Sequence, residues 1–296
     1  MVTPATTSST DAGTALSASA RLRVPASRVG LYGVALVLSL AFIVPFFWTI
    51  SISLKQIKEL FQFPPLLFPE VPQWGNYVDV WTRVPFGQWV VNTFIIAGSA
   101  VGGTLFTSSL VAYSFARYRY PGRDLFFMVT LSTMMLPAEV TIIPQYLGFR
   151  ELGMLDTLYP LIIPSWLGGG AFYVFLLRQF FLGIPNELWE ASQLDGASHF
   201  TYLSRVVVPL STPALLTVGL YAFVQSWKSF LWPLVMTSRP EVRPIQVGLS
   251  TFALENGTYY HTLMAASAFT IAPVLILFIL VQRQFLESIA RSGLKG

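Results

Sequence analysis

The residues best suited to chemistry gather in one polar stretch: Glu187, Glu190 and Asp195, with His199 just behind. Acid–base or metal chemistry is the first thing to test. His199 and His261 are single, and neither stands at ligand spacing from a carboxylate set, so a metal site finds no support. Serines and histidines occur without a nucleophile-elbow pattern, so hydrolase chemistry finds none either. With 0 cysteines there is no thiolate nucleophile, disulfide or thiolate-ligated cluster. The chain lacks a G-x-x-x-x-G-K-[ST] loop and does not bind ATP in that mode. The acidic groups are therefore read as contact residues.

The local pattern supports that reading. Pro185 and Asn186 can start a helix, with Glu187 in its first turn favoured by the helix dipole. Leu188, Ala191 and Leu194 (or Ser192) fall at helical spacing and give one apolar stripe. Gly196 allows a sharp turn, Ala197–Leu203 predicts a second short helix, and Pro209 and Pro213 mark the start of the next apolar run. A short amphipathic helix pair between two apolar spans is suited to docking in a groove on another protein.

The surrounding chain is built for lipid. Of its 296 residues, 54% are hydrophobic and only 11% charged, against roughly 25% charged in a soluble domain. An ordinary soluble enzyme and a wholly disordered chain are both excluded. Residues 1–22 read as a disordered tail and 23–296 as the membrane domain. Six apolar runs near 29–54, 88–116, 124–147, 157–182, 206–235 and 262–283 can each cross a core of ~30 Å. The first run is too long for a signal peptide and lacks a following cleavage site. Prolines and glycines recur inside the runs, as in bundles whose broken helices line a cavity. With the N-terminus inside, eleven Lys and Arg fall on inner segments and six on outer ones. This places both termini in the cytoplasm, with the tight basic loop Arg117–Arg123 as the strongest marker. That loop is read as orientation and lipid contact, not nucleic-acid binding.

One motif is more specific. The run Glu190-Ala191-Ser192, Asp195-Gly196-Ala197-Ser198 and Val208-Pro209-Leu210 resembles the EAA loop of permease subunits of binding-protein-dependent ABC importers. Ser192 stands where the family has its second alanine. Leu177-Arg178-Gln179-Phe180-Phe181, Met135-Leu136-Pro137, Ile143-Pro144, Phe230-Leu231-Trp232-Pro233-Leu234 and the ending Gly293-Leu294-Lys295-Gly296 resemble the carbohydrate-uptake type. Within that type the chain resembles the maltose-permease G-type subunits.

The resemblance covers nearly everything after residue 30. It implies an all-α integral membrane protein of six transmembrane helices in the ABC importer permease fold, with a cytoplasmic coupling loop at 185–205. It further implies a second permease subunit, two ATPase subunits that carry the ATP and Mg, an external substrate-binding protein and a bacterial or archaeal plasma membrane. This chain itself would hold no cofactor and be non-catalytic. Glu187, Leu188, Glu190, Ala191, Ser192, Leu194, Asp195, Gly196, Ala197, Phe200 and Pro209 would form the contact with the ATPase. The implied solute is a disaccharide or oligosaccharide, with glycerol-phosphate-type solutes as the alternative.

The pathway is less specified. Glu139, Gly168, Gly169, Tyr173, Trp227 and Lys228 are its candidate lining. Lys228 lies roughly 33 Å along a helix from Val206, where snorkelling beside Trp227 and Trp232 explains it without function. Relatives more often carry Asn or an acidic residue near that point. Gly168–Gly170 would either open a helix toward a polar solute or pack closely through small residues; close packing is the simpler reading. The outer segment 236–260, with Arg239, Glu241 and Arg243, is the expected contact for the binding protein. Membrane enzymes and ion-coupled transporters would need clustered intramembrane acids, which the runs lack.

Overall fold

The computed structural model describes residues 26–254 and 259–293. Every element among the described residues is a helix. The chain starts with α1 (Ala26–Ser53), short α2 (Ile57–Leu60), α3 (Gly75–Arg83) and long α4 (Phe86–Arg117). Next come α5 (Arg123–Ser132), α6 (Ala138–Glu151), α7 (Tyr159–Trp166) and α8 (Ala171–Leu182). α9 (Glu187–Leu194) and α10 (His199–Tyr202) lead through a π-helical turn, Leu203–Val207, into α11 (Val208–Leu210). α12 (Thr212–Trp227), α13 (Leu231–Met236), α14 (Ile245–Leu254) and α15 (Tyr260–Gly293) complete the order. The expected tail 1–22, residues 255–258 of the outer loop and the last three residues lie outside the described residues.

The chain divides into two units at Phe47 and Trp48. The first holds most of α1, a helix apolar on all faces, as a membrane span requires. The second is organised around α4, against which α7, α8, α12 and α14 pack. Its packing face is made of small residues: Ala97, Ala100, Gly103, Thr104, Ser108 and Ala112 are all buried and recur at helical spacing. Small side chains let neighbouring backbones approach, which is how helices associate where lipid removes the hydrophobic drive. A methyl group on Gly103 would come within 2.7 Å of the Trp166 ring.

Apolar cores sit at both ends of α4. One gathers Tyr113, Phe115, Phe127, Leu177, Phe181 and Tyr202 near Arg117. The other joins Val80, Phe86, Trp89, Ile245 and Ala265 near the helix start.

Among the described residues, four apolar helical stretches are long enough to cross a membrane: Gly30–Ser53, Phe86–Arg117, Tyr159–Leu182 and Tyr260–Gln282. Two bent pairs, Arg123–Met135 with Ala138–Glu151 and His199–Leu210 with Thr212–Trp227, bring the number to six if each is one span. The run 124–147 was expected as one helix but turns through 98°. Leu136 is extended (φ −79, ψ 119), because a residue before proline is pushed out of the helical region. The run 206–235 bends by 82° at Ser211 and ends its long helix at Trp227. Pro213 has no N–H for the carbonyl of Pro209, and the Thr212 hydroxyl donates to that carbonyl instead, at 2.8 Å. The span 157–182 is broken between α7 and α8 by Gly168, Gly169 and Gly170, all at positive φ.

Candidate functional site

The coupling segment is fixed at its start by Arg117. This last residue of α4 donates from Nη2 to the carbonyl of Phe181 at 2.7 Å and to that of Ile184, and from Nη1 to the side-chain oxygen of Asn186. The Phe181 carbonyl belongs to the last turn of α8 and that of Ile184 lies just beyond it, where a cation suits the helix dipole. Pro185 stops the helix, and the Asn186 carbonyl accepts from the amides of Trp189 and Glu190 at 2.9 and 3.1 Å. That starts α9.

Its end is a Schellman motif. The amide of Gly196 donates to Gln193 at 3.0 Å and that of Ala197 to Ser192 at 2.9 Å. Gly196 has φ +77, and a methyl group added there would meet nothing within 4 Å. The side chain of Ser198 then caps α10, accepting from the amide of Thr201 at 3.2 Å.

α9 has two unlike faces. Trp189 points inward, its ring stacked on His199 and edge-on to Tyr202. Leu188 and Ala191 face outward and are exposed, and Leu194 is 91% exposed. Ser192 and Ala197 are half-buried, while Phe200 is 67% exposed and Pro209 lies open. The ion pairs among the described residues are Arg83–Asp79 and Arg123–Asp124. Glu187, Glu190 and Asp195 are exposed and take part in neither. This is a surface of apolar side chains and free carboxylates, carried on a helix whose other face is tied into the core.

The candidate pathway residues separate. Gly169 and Tyr173 line a cleft of about 250 Å³ between α4, α7, α8 and α12, with Thr104, Ser165, Gln225 and Ser226. Among the described residues, no Lys, Arg, Asp or Glu lines it. The glycine run breaks the helix and also packs closely: a methyl group on Gly169 would lie 2.0 Å from Ser108 Oγ. Gly168 stands in the same break with nothing within 4 Å of such a group. Glu139 is exposed at the start of α6, beside the 98° bend. Lys228 is exposed at the end of α12. Trp227 does not line the cleft. It is buried, donates to the carbonyl of Thr270 at 3.2 Å and packs edge-on to Phe94.

The opposite end of α4 holds a second organised region. Trp89 donates to the carbonyl of Pro240 at 2.7 Å, and Asn92 to that of Glu241 at 2.8 Å. Asp156, in the loop before α7, accepts from the amides of Ser238 and Arg239. These bonds hold its carboxyl below the usual carboxylate range. Arg239 returns a bond to the Asp156 carbonyl at 2.7 Å. The segment Ser238–Arg243 is thereby tied to α4 and to the loop before α7.

Trp189, His199, Arg117 and Asp156 were not among the expected site residues. Arg117 carried a signal, a cation at a span end, but one that reads as orientation and lipid contact. The stack of Trp189 on His199 has no sequence signature, since it depends on α4 lying beneath both.

Residues 105–291 match the family of binding-protein-dependent transport system inner membrane components. The chain is 34% identical over 243 residues to the sn-glycerol-3-phosphate transport system permease protein UgpE of Pectobacterium atrosepticum, covering 79% of this chain and 86% of the relative. It is 31% identical over 272 residues to the arabinooligosaccharides transport system permease protein AraQ of Bacillus subtilis, covering 91% and 96%. Its fold is similar to a chain of a bacterial ABC transporter involved in the import of the acidic polysaccharide alginate, at TM-score 0.76 and 26% identity, covering 88% and 98%. An α-helical, many-span chain with this sequence and fold belongs to the inner membrane components of binding-protein-dependent transport systems.

Proposed function

We propose that the chain is one permease half of an ATP-driven importer for a neutral oligosaccharide or disaccharide. The observation that carries the coupling role is the outward face of α9: exposed Leu188 and Leu194 beside three free carboxylates, on a helix anchored by Trp189. Such a face suits the groove of a cytoplasmic ATPase subunit. Two of these subunits would bind ATP and Mg, and their closure would move α9. Both termini and α9 then lie in the cytoplasm, and Ser238–Arg243 lies outside, facing a substrate-binding protein. A second permease subunit supplies the other half of the pathway.

The cleft favours the neutral solute. Its hydroxyl, amide and aromatic groups suit sugar hydroxyls, whereas a phosphate calls for Arg or Lys. Its volume is below the usual ~300–1,000 Å³ of a ligand pocket, so it would take one sugar unit. The test is uptake by the complete importer in proteoliposomes with ATP and its binding protein. Arabinotriose should be taken up in preference to sn-glycerol 3-phosphate; the reverse preference would replace the sugar reading with the phosphate one.

A further inference from the structure

We infer that His199 is the positioning residue that makes α9 move with α4. The inference rests on the reading of α9 as the ATPase contact. The imidazole lies between two rings: the Trp189 indole, with centroids 4.2 Å and planes 18° apart, and the Tyr118 phenol, at 4.2 Å and 32°. Its Nδ1 is 2.9 Å from the Tyr113 hydroxyl. One side chain thus touches α9 through Trp189, α4 through Tyr113, and the residue that follows α4. Tyr113 and Tyr118 also pack edge-on, at 5.8 Å, which stiffens the side of the clamp that belongs to α4.

The need for such a clamp follows from the backbone. α9 is held at its start by the Arg117 bonds. Its far end turns at Gly196, at φ +77, on two backbone bonds and with no side chain packed against the turn residue. A push on Leu194 would turn α9 about Asn186 and bend the chain at Gly196 unless a side chain ties the middle of the helix to the bundle. The Trp189–His199 stack is that tie. Flat aromatic faces resist tilt, and the bond to Tyr113 fixes the ring's rotation. Displacement of α9 then reaches α4, and through α4 the helices that line the cleft.

The chain has 0 cysteines, so a single introduced one reports cleanly. In the complete importer, the maleimide labelling rate of Ser229→Cys, at the cleft, is measured with and without ATP alongside ATP hydrolysis. Relative to the unaltered background, His199→Ala should keep ATP hydrolysis while the ATP-dependent change in labelling falls by roughly tenfold. Trp189→Ala should match it, and the double variant should be no worse than either, because one clamp is lost in all three. His199→Phe keeps a flat ring without the bond to Tyr113 and should restore part of the change. An undiminished ATP-dependent change in His199→Ala, or single effects that multiply in the double variant, would overturn the inference. If His199→Ala does not assemble, Tyr113→Phe and His199→Phe decide by the same ratio. An importer that shows no ATP response in the unaltered background would overturn the coupling reading itself and the role of His199 with it.

Discussion

Arg117, the last residue of α4, donates to the Phe181 carbonyl of α8 at 2.7 Å, across 64 positions of sequence. The same guanidinium holds the Ile184 carbonyl and Asn186. It closes the end of α8 and sets where α9 begins. The planar fork matters, because three acceptors around one turn need several donors in fixed directions.

Arg117→Met should therefore destabilise the chain by about 2 kcal/mol or more, since a hydrogen bond to a charged group contributes ~1.5–3 kcal/mol. A drop of roughly 4–8 °C in the thermal unfolding midpoint in detergent is expected at ~2–4 °C per kcal/mol. Arg117→Lys should recover only part of it. Equal midpoints for all three chains would show that the bonds contribute nothing to stability.

Gly169→Ala tests the close approach beneath the helix break. Its methyl group would lie 2.0 Å from Ser108 Oγ, 2.9 Å from Thr107 Oγ1 and 3.1 Å from the Thr104 carbonyl, at φ +69. Overpacking of this kind costs about 1–3 kcal/mol before backbone strain is added. The yield of folded protein should fall, and Ser108→Gly in the same chain should restore part of it by removing the nearest obstacle. A Gly169→Ala chain as stable as the original would mean that the break is not packed this way.

The Asp156 clamp carries a pH dependence of definite sign. Its carboxyl titrates below the ordinary range because the Arg239 and Ser238 amides bond the charged form. A depressed pKa gives stability that is present above the unfolded value of about 3.9 and lost as pH falls through the folded value. The protection factor of the amides in Ser238–Arg243, taken against the intrinsic exchange rate at each pH, should be high at neutral pH and fall once pH drops below about 4. In Asp156→Ala it should be low throughout, without that step. A step that persists in the variant would assign it to another group.

Gly196→Asp separates folding from docking. Nothing lies within 4 Å of a methyl group there, and aspartate tolerates the left-handed region better than most residues. Membrane insertion should persist, with stability lowered by about 1 kcal/mol from the positive φ. Transport should fall at equal subunit assembly, because a side chain would now stand between α9 and its partner. Normal uptake by this variant would contradict a tight contact at that turn.

The parts of the fold that were readable rest on local signals. Pro185, Asn186 and Gly196 bound α9 by their own backbone preferences, so its limits could be read without any neighbour. The apolar runs marked the spans, because lipid imposes length and composition on each run separately. The bends were harder. Pro137 and Pro213 announce a defect, but whether a proline kinks a span or turns it through 98° depends on what the freed groups meet. The inner face of α9 was not readable at all. The Leu188, Ala191 and Leu194 stripe was visible as apolar spacing, yet those residues face outward while Trp189 faces in. Only the position of Tyr113 and Tyr118, on and just after a distant helix, decides that. The Asp156 clamp joins loops 82 residues apart and leaves no periodic trace.

If an ATPase subunit covers the outward face of α9, a label on that face changes environment when the subunit binds. Leu194 is 91% exposed, and with 0 cysteines in the chain Leu194→Cys takes a single environment-sensitive bimane label. Its emission, recorded before and after the ATPase subunits are added to the detergent-solubilised permease pair, reads burial at that point. A blue shift with protection from an aqueous quencher is the predicted result. Unchanged emission and quenching in a complex that has demonstrably assembled would show that this face of α9 is not the ATPase contact.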